Sequence, residues 1–148
     1  MVLVAAAILV VLGGVALLAV VLYTPRGHQV DFTNLQPGEC FNRATLGLDV
    51  VSLRVVPCAS SHRHEAFAIV RYPASDGVAF PGRDAIQQVA SSSCAQPLQT
   101  YLSGATLPAG LRFGFVYPEE RRWEKGERTI VCEVFNADGS TRSRSIRR

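Results

Sequence analysis

The run Ser60-Ser61-His62-Arg63-His64-Glu65 holds the densest chemistry of the chain, two imidazoles and a carboxylate close together. On an extended backbone His62 and His64 project from one face and Glu65 from the other. Two imidazoles at that spacing can share Zn²⁺ or Cu²⁺, but a site needs three or four ligands. The remaining histidine, His28, is remote in sequence, and no second carboxylate motif accompanies the pair. A small metal-dependent hydrolase using His62 and His64 is therefore one alternative. The plainer expectation is that His62 and Glu65 hydrogen-bond the turn after Cys58 and orient the strand that follows.

Other chemistries find less support. A serine hydrolase would want a Gly-x-Ser-x-Gly elbow, which the sequence lacks; Ser91–Ser93 fall on a helical pattern. A glycosidase would want two carboxylates in a cleft. Glu119, Glu120, Glu124 and Glu127 do crowd around Trp123, but Arg121, Arg122, Lys125 and Arg128 are interleaved with them. Mixed signs of that kind describe a solvated face, and Trp123 reads as a core plug before a sugar contact. There is no phosphate loop, dinucleotide fingerprint or basic-aromatic patch, so neither a cofactor nor a nucleic-acid partner is expected. The expectation is a protein that is not an enzyme.

The chain has 148 residues, enough for one domain and an appendage, with 15 basic and 12 acidic side chains. All of these lie beyond Tyr23. Val2–Leu22 is an unbroken apolar run with Gly13 and Gly14 inside it, long enough as a helix to cross a bilayer. Residues 1–23 are read as a transmembrane helix, with Tyr23 at the interface and Pro25 and Gly27 stopping it. A cleaved signal would start with basic residues and end in a small-x-small site, and a lipoprotein would carry Cys directly after the run. Neither pattern is present. The absence of Lys or Arg ahead of the run implies a cytoplasmic stretch preceding this start. Gly13, Gly14 and Ala16 would permit close helix packing in the membrane.

Cys40, Cys58, Cys94 and Cys132 form no Cys-x-x-Cys pair, which disfavours a zinc ribbon or thioredoxin motif. An even number of cysteines without metal spacing suits two disulfides in an oxidising compartment. Of three connectivities, Cys40–Cys58 with Cys94–Cys132 is favoured, since Cys40 and Cys58 flank neighbouring extended segments. Arg26 beside the apolar run argues weakly for a cytoplasmic C-terminal side. Whole domains cross largely regardless of charge, so the cysteines decide the orientation.

Residues 24–36 are expected to form a juxtamembrane linker, residues 37–140 the folded domain and 141–148 a basic tail. Val50–Val56, Glu65–Tyr72, Leu111–Tyr117 and Thr129–Phe135 read as strands. Ile130, Cys132 and Val134 share one face of the last; Leu111, Phe113, Phe115 and Tyr117 share one face of the third. Gly82–Cys94 reads as a helix with Ile86, Val89, Ala90 and Cys94 in one stripe. Pro97 should end it or open a second short helix stopping at Gly104. The fold class is α+β, a small antiparallel sheet with one helical layer on a single face. The tail holds Arg142, Arg144, Arg147 and Arg148, without which eleven basic residues would face twelve acidic ones. It is expected to be solvated, with anionic headgroups as the alternative contact.

Several motifs occur in order: Gly38-Glu-Cys-Phe-Asn42, Val55-Val-Pro-Cys58, the spacing Cys58-x3-His62-x2-Glu65, a helical Cys94, and Pro118-x4-Trp123-x2-Gly126-x-Arg128-x3-Cys132. Together they resemble the actinobacterial septum-formation domain family over about 37–146. Fourteen Arg against one Lys fits a GC-rich genome. The resemblance implies Gly38, His62, Glu65, Trp123, Gly126 and Arg128 as family positions, with no assigned reaction. It further implies a single-pass plasma-membrane protein whose C-terminal domain is extracytoplasmic and serves septum formation or envelope assembly. Its partners would be the lipid bilayer and other membrane or envelope proteins. Common members carry a cytoplasmic N-terminal region ahead of the anchor, which the sequence as given does not include. An accessory subunit of a larger membrane complex, such as a respiratory supercomplex, is the other alternative.

Overall fold

A computed structural model describes residues 27–43 and 52–147. The apolar run Val2–Leu22 lies outside the described residues, and among those described no helix is long and apolar enough to cross a membrane.

The described chain forms strands β1 (His28–Asp31), β2 (Cys40–Arg43), β3 (Ser52–Val56), β4 (His64–Arg71), β5 (Leu111–Val116) and β6 (Thr129–Asn136). A 3₁₀ turn occupies Phe32–Asn34, and two helices follow, α1 (Arg83–Tyr101) and the single-turn α2 (Glu120–Trp123). The strands make one antiparallel sheet in the order β1-β3-β2-β4-β6-β5. The α+β class, the small antiparallel sheet and both disulfides, Cys40–Cys58 and Cys94–Cys132, are as expected.

The period-two patterns become faces. From β6, Ile130, Cys132 and Val134 turn to the side covered by α1, while Val131 joins the opposite core. On β4 a bulge between Ala66 and Ala68 leaves Phe67 unpaired in the ladder. Phe67 and Ala68 consequently both pack toward α1, as a two-against-one bulge allows.

Helix α1 buries Ile86, Ala90, Cys94, Leu98 and Tyr101 along one stripe. It runs straight through Pro97 instead of breaking there. Pro97 offers no amide hydrogen to the Ser93 carbonyl, an interior proline costing about 3 kcal/mol. Burying Leu98 and Tyr101 beyond it returns about 1.5–3 kcal/mol per large side chain. The Cys94–Cys132 bridge fastens the same turn to β6. Chain direction changes only after Leu102, through Ser103 and Gly104, both with positive φ.

Two segments depart from expectation. The described part of the 24–36 stretch is not a linker: His28–Asp31 pairs with β3 as the edge strand, and Phe32 and Leu35 are buried against the sheet opposite α1. Asp31 also makes a two-pronged ion pair with Arg122, at 2.8 and 2.9 Å. The sheet therefore has cover on both faces rather than one. The tail is not free either, since Arg142 bridges to His62 and Ile146 packs into the core under α1.

Candidate functional site

Register places Cys40 of β2 directly opposite Glu65 of β4. Both side chains lie on the α1 side and are wholly buried. Cys58, half-buried on the turn after β3, closes the bridge to Cys40 from the rim. Gly38 leads into this corner with φ +95°, a conformation natural to glycine, and its amide donates to the Ala66 carbonyl at 2.7 Å.

A buried carboxylate needs donors, and Glu65 has them on both oxygens. Tyr101 Oη donates to Oε1 at 2.7 Å, and Ser145 Oγ donates to the same oxygen. Arg142 Nη2 and the Ile146 amide reach Oε2 at 3.2 and 3.1 Å. Burial, followed by the Glu65 contact, pushes the Tyr101 hydroxyl well above the usual phenol range.

His62 stands beside this hub, before β4 begins. Its backbone exchanges two hydrogen bonds with Arg142, at 2.9 and 2.8 Å. Its Nδ1 lies 2.9 Å from the Ser60 carbonyl, which assigns the proton to Nδ1 and leaves Nε2 a bare acceptor. Nε2 is buried without a hydrogen-bond partner. Burial lowers the His62 pKa most, the Ser60 carbonyl raises it, and the Arg142 charge lowers it further, for a net shift downward. The ring is thus neutral near pH 7.

The Cys40 Sγ, a His62 ring nitrogen and a Glu65 oxygen all fall within 4.8 Å of one another. As a donor set for a cation this is poor, because the sulfur is tied into a disulfide and the carboxylate already accepts from four groups. The alternative of a site shared by His62 and His64 meets a geometric obstacle: His62 precedes the strand, so alternation does not reach it. His64 lies on the opposite face, stacked on Phe41 at 5.2 Å, with its Nδ1 3.1 Å from Glu133 Oε2. Arg43 pairs with the other Glu133 oxygen.

The third cluster holds the remaining family positions. Trp123 is buried and edge-on to Tyr72 and Phe80, and its Nε1 donates to the Val78 carbonyl at 2.7 Å. The Arg128 guanidinium lies 3.7 Å over the indole and donates to the Trp123 and Glu127 carbonyls. Gly126, at φ +88°, closes the turn after α2 by donating to the Trp123 carbonyl. Trp123 and Arg128 are packing partners here, while Glu119 pairs at the surface with Arg83.

Sequence reasoning missed Tyr101, Arg142 and Ser145 as partners of Glu65. The available signals were a polar-tipped Tyr at the end of an apolar helix stripe and a lone Ile146 among Arg and Ser.

Residues 37–147 match the family model described as septum formation. No curated protein and no solved structure matches the chain. The match spans well over half of the chain and takes in the whole Cys40–His62–Glu65 corner, so the chain belongs to the septum-formation family, which supports a role in septum formation.

Proposed function

We propose that this chain is a single-pass protein of an actinobacterial plasma membrane that presents its disulfide-bonded domain on the outer face. It serves there as a non-enzymatic interaction module in septum formation or envelope assembly. One observation supports the non-enzymatic reading: the buried charged groups are spent on each other and on their packing partners. Glu65 accepts from four donors, Arg142 is bound to Glu65 and His62, and Arg128 is buried on Trp123. The apolar run Val2–Leu22 supports the anchor, and the two disulfides support the oxidising side of the membrane. Partners are other membrane or envelope proteins, met through the helix and the outer domain.

The test is a fluorescent fusion imaged in dividing actinobacterial cells, combined with protease accessibility from outside. Septal concentration with external cleavage supports the proposal. A uniform membrane signal that follows one large co-purifying complex would replace it with the accessory-subunit reading, and protection from protease would overturn the topology.

A further inference from the structure

The two disulfides differ in what surrounds them. Cys94 and Cys132 are both wholly buried between α1 and β6, where no external thiol reaches. In the other bridge Cys40 is wholly buried, but Cys58 is half-buried on a turn. Exchange proceeds by attack of a thiolate on one sulfur of a disulfide, so access decides which sulfur is attacked. Here only Cys58 qualifies.

His62 supplies the second, independent observation. Its Nε2 is a buried acceptor with no donor, so its lost hydration is not made good. In the oxidised protein the adjacent sulfur carries no hydrogen and cannot relieve it. Reduction changes this, because Cys40 lies in one 4.8 Å cluster with the His62 ring, whose Nδ1 is held by Ser60, and its thiol would have a proton to offer the other ring nitrogen. The orphaned nitrogen is thus unsatisfied in one redox state and satisfiable in the other.

We propose that Cys40–Cys58 is a thiol–disulfide exchange site for an external thiol, with Cys58 as the attacked sulfur and His62 Nε2 as the base for Cys40. An incoming thiolate RS⁻ bonds to Cys58 Sγ. The Cys40–Cys58 bond breaks, its electron pair stays on Cys40, and that thiolate takes up a proton from water. The product is a mixed disulfide, Cys58–S–S–R, beside a Cys40 thiol. In the reverse step Cys40 passes its proton to His62 Nε2, attacks Cys58 Sγ and expels RS⁻, restoring the bridge. A second RSH can instead release RSSR, its two electrons leaving both cysteines as thiols. Glu65 opposes a standing thiolate at Cys40, so the proton must leave to a base as the nucleophile forms. The Gly38 carbonyl, 3.5 Å from Cys58 Sγ, can accept from the freed thiol. The partner is a thiol of the envelope, and the exchange is stoichiometric capture and release. None of this depends on where in the envelope the protein resides.

The test uses the full chain in detergent with glutathione as the thiol. Circular dichroism is read first; one portion is then quenched in acid and unfolded, and its free thiols are blocked with a maleimide and mapped by mass spectrometry. Glutathione should appear on Cys58 and maleimide on Cys40, with Cys94–Cys132 intact and the circular dichroism unchanged. After excess glutathione is removed, the mixed disulfide should close and release it. His62→Gln should slow that closure about a hundredfold, the ordinary worth of a positioned base. Cys40→Ser, whose free Cys58 thiolate is loaded from glutathione disulfide with one glutathione leaving, should hold the other on Cys58 without closing, and it keeps the proposal testable if His62→Gln does not fold. Reduction of both bridges together, only on unfolding, overturns the proposal. Glutathione on Cys40 does so too, as does closure of a folded His62→Gln at the wild-type rate.

Discussion

The Tyr101 hydroxyl, on the last residue of α1, donates a 2.7 Å hydrogen bond to Glu65 on β4, inside the domain. Helix and sheet are therefore joined by a polar contact next to the apolar one that Tyr101 makes with Phe67, ring centres 6.2 Å apart. Removing only the hydroxyl isolates the polar part. Tyr101→Phe should cost about 1–3 kcal/mol, the penalty for depriving a buried acceptor of a donor. Urea unfolding followed by far-ultraviolet circular dichroism measures it.

Arg142 is the only cation paired with Glu65 among the described residues, and both side chains are largely shielded from water. Arg142→Ala leaves a buried carboxylate without its counter-charge and should destabilise by about 3–5 kcal/mol. The exposed Arg83–Glu119 pair is the comparison. Arg83→Ala should cost no more than about 1 kcal/mol, because water and ions screen that pair. A difference in urea midpoints that separates the two variants bears out the contrast, and equal midpoints refute it.

Acid should loosen the domain through His62 before it does so through the carboxylates. The folded state holds His62 with a lowered pKa, so its neutral form contributes stability above the unfolded histidine value of about 6.5. That contribution is lost as pH falls through the folded value. For Asp31 and Glu127 the lowered values mean stability present above the ordinary carboxylate range and lost only at more acidic pH. Melting temperature should fall between about pH 7 and pH 5 more steeply in wild type than in His62→Gln. Parallel curves would remove His62 from the account.

Trp123 is the chain's single tryptophan, so its fluorescence reports the third cluster directly. Arg128→Lys keeps the charge but loses the flat guanidinium 3.7 Å over the indole. The expected outcome is a loss of about 2 kcal/mol, the value of a desolvated cation–π contact. A red-shifted tryptophan emission should accompany it as water reaches the ring. An unshifted spectrum with full stability would mean that the stack contributes nothing.

What could be read from residue order was local. The alternation of Ile130, Cys132 and Val134, and the spacing of Ile86, Ala90 and Cys94, announced buried faces because strand and helix periods act over a few residues. The bridge Cys40–Cys58 was legible for the same reason, its cysteines flanking neighbouring extended segments. By contrast, His28–Asp31 is a four-residue edge strand with no alternation to betray it. Pro97 carried a strong local signal for a break, which the burial of Leu98 and Tyr101 outweighed. His62 and His64 sit two residues apart, yet the sheet passes between their environments.

Sequence alone determined the class, an even cysteine count suited to two disulfides and the residue types in the Cys58–Glu65 run, because these depend on composition and short-range periodicity; it favoured one of three cysteine pairings, which the tertiary structure decided. It did not determine what Glu65 touches. The donors come from Tyr101, 36 residues away, and from Ser145 and Ile146, 80 and 81 residues away. Contacts of that range leave no period in the chain. Only the order β2-β4-β6 of the sheet, with α1 and the C-terminal segment closing over it, brings those donors to one buried carboxylate and strands one imidazole nitrogen beside a disulfide.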